Sequence, residues 1–138
     1  MATRLIALNW QVDNVLSTLG AALNVGHTLR LFSNNIFPHS SMTFPDFQES
    51  SFPGYARWSL NGQFQPTIKV ADGHYAMRSP EHVFTCTGPS PFAVYGWWMV
   101  KDGQVKFAFR FPQLVSLGPG AEIPVKVTIE AMALHLLA

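Results

Sequence analysis

The sequence predicts a mainly β protein, an antiparallel β-sandwich or barrel with one N-terminal α-helix. Only one stretch, near the start, has helical spacing of its apolar residues. Short strand-like runs follow it at regular intervals, separated by Gly, Pro, Asn and Asp. A chain of 138 residues is long enough for one domain with its own core. We therefore predict a single β-sandwich domain over residues 1–138, with the helix at about 9–24 and the strands at about 28–132.

The helical stretch covers residues 9–24. Its apolar residues at the spacing of one helix face are Val12, Val15, Leu16, Leu19 and Leu23. Asn24 and Gly26 suit the end of a helix, because both tolerate left-handed backbone angles.

Short strands are predicted along the rest of the chain, because runs of β-branched and aromatic residues alternate with turn residues. Apart from the hairpin described below, they are Thr28–Ser33, Tyr55–Leu60, Gln65–Ala71, His74–Met77, His82–Thr87, Leu114–Leu117 and Glu122–Met132.

A long irregular connection runs from Asn35 to Gly54. It carries three prolines and several phenylalanines, and residues 45–49 are compatible with one helical turn. We expect the connection to be ordered, with Phe47 and Phe52 buried as anchors. A connection of this length is typical of a functional or interface element.

The strongest local signal is the dipeptide Asp102-Gly103 between two apolar runs. It suits a two-residue type I′ turn, which places Lys101 opposite Gln104. Continuing this register places the following residues on one apolar face that we expect to line the core: Val94, Gly96, Trp98, Val100, Val105, Phe107, Phe109 and Phe111.

The other face of this hairpin mixes large side chains with cations. In the same register Tyr95, Trp97 and Met99 lie opposite Arg110, Ala108 and Lys106. We expect this face to be covered. Either a second sheet or the N-terminal helix covers it, or another subunit does.

Composition excludes several classes of partner. Charged residues make up only 12% of the chain, against about a quarter in an average soluble domain, which favours an assembled protein. The formal net charge is +1 without a basic cluster, so we expect no nucleic-acid partner. No apolar run reaches the roughly 18 residues of a membrane span, and polar residues interrupt the N-terminal run too early for a signal peptide. We therefore expect no membrane partner.

No catalytic, metal or cofactor motif is present. The five histidines lack metal-ligand spacing, and no G-x-S-x-G occurs. Asp46 and Glu49 could pair as carboxylates, although a helical turn capped by Asp46 suits them better. Cys86 is the only cysteine and cannot form an intrachain disulfide. We expect a non-enzymatic protein without a metal or cofactor.

Aromatic residues leave a binding module as the alternative. A carbohydrate-binding or host-surface-binding face could be lined by Trp58, Phe64, Tyr95, Trp97 and Trp98. Aromatic residues at such positions in a β protein are, however, more often part of the core.

Three segments together resemble a family of small phage-encoded virion structural proteins. They read LRLFSNNIFP (29–38, after Thr28), DFQESSFPGYA (46–56) and AVYGWWMV (93–100). The residues that match the family's pattern are Leu29, Leu31, Phe32, Asn34, Asn35, Pro38, Asp46, Phe47, Glu49, Phe52, Gly54, Tyr55, Val94, Tyr95 and Gly96. Gln48, Ser50 and the pair Trp97-Trp98 depart from it.

The resemblance implies a structural component of a virion, assembled in the host cytoplasm. It implies capsid decoration, or another surface or tail component, whose partners are copies of itself and capsid or tail proteins. A homo-oligomer is expected, with a trimer favoured for threefold positions of a shell. The residues that we expect at interfaces are Phe44, Phe47, Phe52, Tyr95, Trp97, Met99, Lys106 and Arg110.

Overall fold

The computed structural model describes residues 4–6, 9–89, 91–132 and 135–137. It confirms the predicted fold class: the chain is mainly β, with one helix near the N-terminus and antiparallel sheets. The elements are β1 (Arg4–Ile6), α1 (Asn9–Leu23), β2 (Thr28–Phe32), a 3₁₀ turn (Phe44–Asp46), β3 (Trp58–Ser59), β4 (Ile68–Ala71), β5 (His74–Arg78), β6 (His82–Thr85), β7 (Phe92–Lys101), β8 (Gln104–Leu117), β9 (Glu122–Val125), β10 (Thr128–Met132) and β11 (His135–Leu137).

The elements divide into two compact units, each built from separate parts of the chain. The first unit contains β1, α1, β4, β5, β10 and β11, and the second contains β2, β3 and β6–β9. The prediction that residues 1–138 form one domain stays a prediction.

In the first unit, α1 packs against the sheet β10-β5-β4. Leu16 and Leu23 are buried as predicted, and Gly20 approaches the sheet so closely that a Cβ there would lie 2.8 Å from Met77 Sδ. Val15 was predicted on the buried face but is 65% exposed. The buried face instead follows Leu16, Gly20 and Leu23, and Val15 lies outside it. Val12 lies outside the described side chains.

The prediction of one continuous strand over Glu122–Met132 is wrong, because this segment forms two strands. β9 pairs with β6 in the second unit, and β10 pairs with β5 in the first. Between them the Val127 amide donates to Ser79 Oγ at 3.0 Å, and the Ser79 amide donates to the Val127 carbonyl at 2.9 Å. Because the amide and carbonyl of Val127 bond to Ser79, they do not continue the ladder of β9 with β6, and the strand is interrupted there. The pairing of β1 with β11 was not predicted, since the predicted strands lay between about 28 and 132.

In the second unit, a four-stranded sheet has the order β3-β2-β7-β8, and β6 pairs with β9 in a second sheet. Aromatic contacts link the two sheets: Trp58 stacks on His82 at a centroid distance of 4.6 Å. The predicted strand Leu114–Leu117 is the end of β8, which is 14 residues long.

The turn of the β7–β8 hairpin forms as predicted. Asp102 and Gly103 have positive φ angles of 51° and 71°, as a type I′ turn requires. Lys101 lies opposite Gln104 and Val100 opposite Val105. From Met99 to Gly96 the register is shifted, and the β8 partner of each β7 residue lies one position further along. This irregularity is a β-bulge, in which one strand contributes an extra residue. A second irregularity follows between Gly96 and Val94, and beyond it Val94 pairs with Val115 and Phe92 with Leu117.

The bulge exchanges the faces of residues 107–110 of β8, so the predicted faces are wrong for that part of the strand. Phe107 pairs with Met99 and Phe109 with Trp97, although both phenylalanines were predicted on the face of Trp98. Phe109 is 48% exposed instead of lining the core. On β7 itself, the prediction holds, because Val94, Gly96, Trp98 and Val100 are all buried.

Cross-strand partners share a face of the sheet, and this defines two surfaces. We call one the loop-side face; it carries Phe32, Gly96, Trp98, Ala108 and Arg110. The opposite face carries Leu29, Leu31, Trp97, Met99, Phe107 and Phe109. Leu29, Leu31 and Met99 are fully buried, so part of this opposite face is interior.

Candidate functional site

The long connection packs onto the loop-side face through its phenylalanines. Phe47 stacks on the Trp98 ring, with centroids 4.8 Å apart and ring planes 8° apart, and meets the Phe32 ring edge-on at 5.5 Å. Phe44 lies 5.2 Å from the same indole. Phe47 and Phe52 are both buried, which confirms that prediction. The long connection therefore covers the loop-side face of the sheet.

Two polar side chains hold the connection in shape. The Asn34 amide group donates to the Asp46 carbonyl and accepts from the Gln48 amide, both at 2.9 Å. One Asp46 carboxylate oxygen accepts from the Thr43 amide at 2.8 Å, as in a capping box. The predicted helical turn over residues 45–49, capped by Asp46, is wrong in its position and its cap: a 3₁₀ turn lies at Phe44–Asp46, its N-cap is Thr43, and Asp46 is its last residue.

A single carboxylate, that of Glu49, gathers three donors. Arg57 approaches it through two nitrogens at 2.9 Å, the Tyr55 hydroxyl donates at 2.8 Å, and Arg30 lies at 3.4 Å. The Tyr55 oxygen in turn accepts from the Leu31 amide at 3.2 Å. The cluster therefore connects the irregular segment to β2 by side-chain hydrogen bonds.

The electrostatics of this cluster favour an ionised Glu49. Burial by itself disfavours its charge, but hydrogen bonds from Arg57 and Tyr55 and the charge of Arg30 hold the pKa of Glu49 below its usual value. Burial and the hydrogen bond to Glu49 raise the pKa of Tyr55 well above its ordinary range. Burial lowers the pKa of Arg30, whose guanidinium also lies 5.4 Å from the Trp98 ring centroid.

Arg110 occupies the loop-side face further along β8. Its guanidinium donates to the Ile36 carbonyl at 2.8 Å. The Phe37 ring centroid lies 4.0 Å away and the Tyr95 centroid 5.3 Å away, within the range of cation–π contacts. Among the described residues, no carboxylate lies within ion-pair distance of Arg110.

A cavity of about 250 Å³ lies between the connection and β8, and Ala108, two residues before Arg110, lines it. Pro38, Met42 and Phe47 form one wall, and Val105 and Ala108 form the other. Lys106 also lines it, and its ammonium group donates to Gln104 Oε1 at 2.9 Å. The cavity is therefore lined by both apolar and polar groups, since His39 and Ser40 also border it, and Lys106 contributes a positive charge.

The outer edge of β8 is open in the described part of the chain, where β8 pairs only with β7. Its exposed apolar residues are Phe109 at 48% and Leu114 at 51%. Pro112, which has no amide hydrogen, lies between them. An edge strand presents unpaired backbone groups that another strand can pair with, so this edge is suited to contact with another chain.

The residues expected at interfaces fall into two groups. Phe47, Phe52 and Met99 are buried inside the second unit, so their side chains are not accessible to a partner. The residues with exposed or half-buried side chains are Phe44, Tyr95, Trp97, Lys106 and Arg110. The exposure of Phe109 was missed, because the predicted register placed it in the core, and the exposure of Phe37 was not predicted.

The alternative aromatic face does not form as one surface. Trp98 and Phe64 are buried, and Trp58 is stacked under His82. Burial lowers the pKa of His82. Over the described residues, no group of three His, Cys, Asp or Glu side chains could hold a metal ion.

Ser50 provides a test of the packing beside Glu49. Its hydroxyl is buried and has no hydrogen-bond partner among the described residues, while its backbone amide donates to the Leu31 carbonyl. We expect Ser50→Ala to raise the free energy of unfolding by about 1 kcal/mol, because it removes an unsatisfied buried hydroxyl. Urea denaturation measures this, with the exposed Ser51→Ala as the control. A destabilised Ser50→Ala would contradict the expectation.

Comparison with family models, with curated proteins and with solved structures finds no match to this chain. No helix within the described ranges is long and apolar enough to cross a membrane.

Proposed function

We propose that the chain is a non-enzymatic structural protein of a phage virion, an oligomeric capsid-decoration protein or another surface or tail component. The observation that carries the proposal is the outer edge of β8. A 14-residue strand with Phe109 and Leu114 exposed is a surface that another chain can cover. Apolar residues on an unpaired edge favour association with another protein over a free surface.

The residues that match the pattern of the virion family support the proposal, because they have structural roles in the fold. Asn34, Asp46, Phe47 and Glu49 hold the long connection against the sheet. Each of these side chains is engaged in packing or hydrogen bonds within the chain. Such a use suits a protein whose task is to present a rigid surface.

Self-association is the first part of the proposal to test. A homo-oligomer, with a trimer favoured, would cover the β8 edge. It would also explain why charged residues make up only 12% of the chain, because a surface covered by another subunit needs few charges. A stable contact buries about 1,000 Å² or more in total. Phe109 is the most exposed aromatic residue of the hairpin, and it stacks with Trp97 at 6.0 Å.

Sedimentation of wild type and Phe109→Ser measures the contact. We expect wild type to sediment as an oligomer and the variant to dissociate at least about 30-fold more readily, because a central aromatic anchor contributes about 2 kcal/mol. Val83→Ser is the control, since Val83 is 40% exposed on β6. Electron microscopy of intact particles then locates the chain.

Two results would overturn the proposal. A wild type that sediments as a 15.3 kDa monomer at high micromolar concentration would exclude strong self-association. Purified phage particles that lack the chain would exclude the virion role.

A further inference from the structure

The cavity between the connection and β8 has room for a side chain of another protein. Pro38 and Met42 line it on one side and Ala108 on the other, together with the polar side chains of His39, Ser40 and Lys106, and its volume is about 250 Å³. This is large enough for one aliphatic or aromatic side chain.

The charge of Arg110 is not neutralised by any residue that the structure describes. The other half-buried guanidinium of the unit, that of Arg30, is paired with Glu49, and so is Arg57. Arg110 has a carbonyl partner and two aromatic rings, but no carboxylate partner among the described residues. No acidic residue occurs from Gln104 to Leu117.

The guanidinium of Arg110 is held in place and can still donate hydrogen bonds to an anion. One terminal nitrogen donates to the Ile36 carbonyl, and the Phe37 and Tyr95 rings pack against the guanidinium. A guanidinium has five N–H donors in a fixed fork that matches a carboxylate. Because the group is already immobilised, binding would cost little additional side-chain entropy.

We propose that this cavity and Arg110 together bind an acidic, extended peptide segment of a partner protein. An apolar side chain of the segment enters the cavity, and the carboxylate of its neighbour binds the Arg110 guanidinium. The open edge of β8 lies beside the site and can pair with the backbone of such a segment. The inference rests on the proposed structural role and names the chemistry of the partner.

Two blocked pentapeptides test the proposal, one of sequence TLEVT and one of sequence TLQVT. Titration is followed by the backbone amide NMR signals of Phe37 and Ala108. We expect both signals to shift, with TLEVT binding at least about tenfold more tightly than TLQVT, because a charge-assisted hydrogen bond is lost with the glutamine. In Arg110→Gln this preference should disappear. In Lys126→Gln, which removes the same charge from an exposed position in the other unit, it should remain.

A second variant tests the cavity itself. Ala108→Leu would fill the space while leaving Arg110 in place, and we expect it to weaken both peptides at least about tenfold. Its NMR spectrum shows whether the fold is intact.

The proposal is overturned if neither peptide shifts the signals at millimolar concentration, or if TLEVT and TLQVT bind equally. It is also overturned if glucuronate shifts the same signals and the peptides do not, since the ligand would then be an acidic glycan. Any of these results, with the chain still found in phage particles, rejects this inference and leaves the proposed function in place.

Discussion

Gly96→Ala is expected to lower the free energy of unfolding by about 3 kcal/mol, because the position has no space for a methyl group. A Cβ at Gly96 would lie 2.0 Å from the Phe109 carbonyl oxygen and 2.7 Å from the Phe32 ring. The oxygen belongs to the backbone of the paired strand and cannot move aside as the end of a flexible side chain could. Relief therefore requires β7 and β8 to separate locally.

Gly118→Ala is the matched control. In the part of the chain that the structure describes, no heavy atom lies within 4 Å of a Cβ at Gly118, and the φ of Gly118 is not positive. We expect this variant to be neutral or up to about 0.5 kcal/mol more stable, because it reduces the entropy of the unfolded chain. Urea denaturation of both variants measures the difference. If Gly96→Ala were as stable as Gly118→Ala, the pairing of Gly96 with Arg110 would be incorrect.

Glu49→Gln is expected to lower the free energy of unfolding by about 2 kcal/mol at neutral pH. The substitution leaves the Arg30 side chain, which is only 11% exposed, without its counter-charge. The figure is below that for a fully buried pair, because Arg57 is 55% exposed and water screens its charge. Lys69→Gln is the control, since it breaks an exposed ion pair with Asp72 and should cause no measurable change.

The pH dependence of the same variant follows from the lowered pKa of Glu49. A carboxylate whose pKa is lower in the folded state binds protons more readily in the unfolded state. Its contribution is therefore fully present above the unfolded pKa, near 4.5, and is lost as the pH falls through the folded pKa. We expect the stability gap between wild type and Glu49→Gln to narrow below about pH 4.5. A gap that stays constant from pH 7 to pH 3 would contradict this.

The local features of this protein were determined by the sequence itself. The turn at Asp102-Gly103 forms because two adjacent residues tolerate positive φ angles, at 51° and 71°, and few other pairs do. The helix follows from the spacing of Leu16 and Leu23, and the buried face of β7 follows from simple alternation. Each of these depends on residues within a few positions of one another.

Tertiary structure decided the β8 faces, the division of residues 122–132 into two strands, and the candidate site. Because of the bulge, Phe109 pairs with Trp97 and not with Gly96, its partner in the predicted register. The bulge is a compromise between the hydrogen bonds of the ladder and the packing of the whole sheet, and no residue near the turn indicates it. Arg110 meets a carbonyl 74 positions away, and Glu49 meets an arginine 19 positions away. Such contacts depend on where the folded backbone brings distant segments, and local conformational preferences carry no information about that.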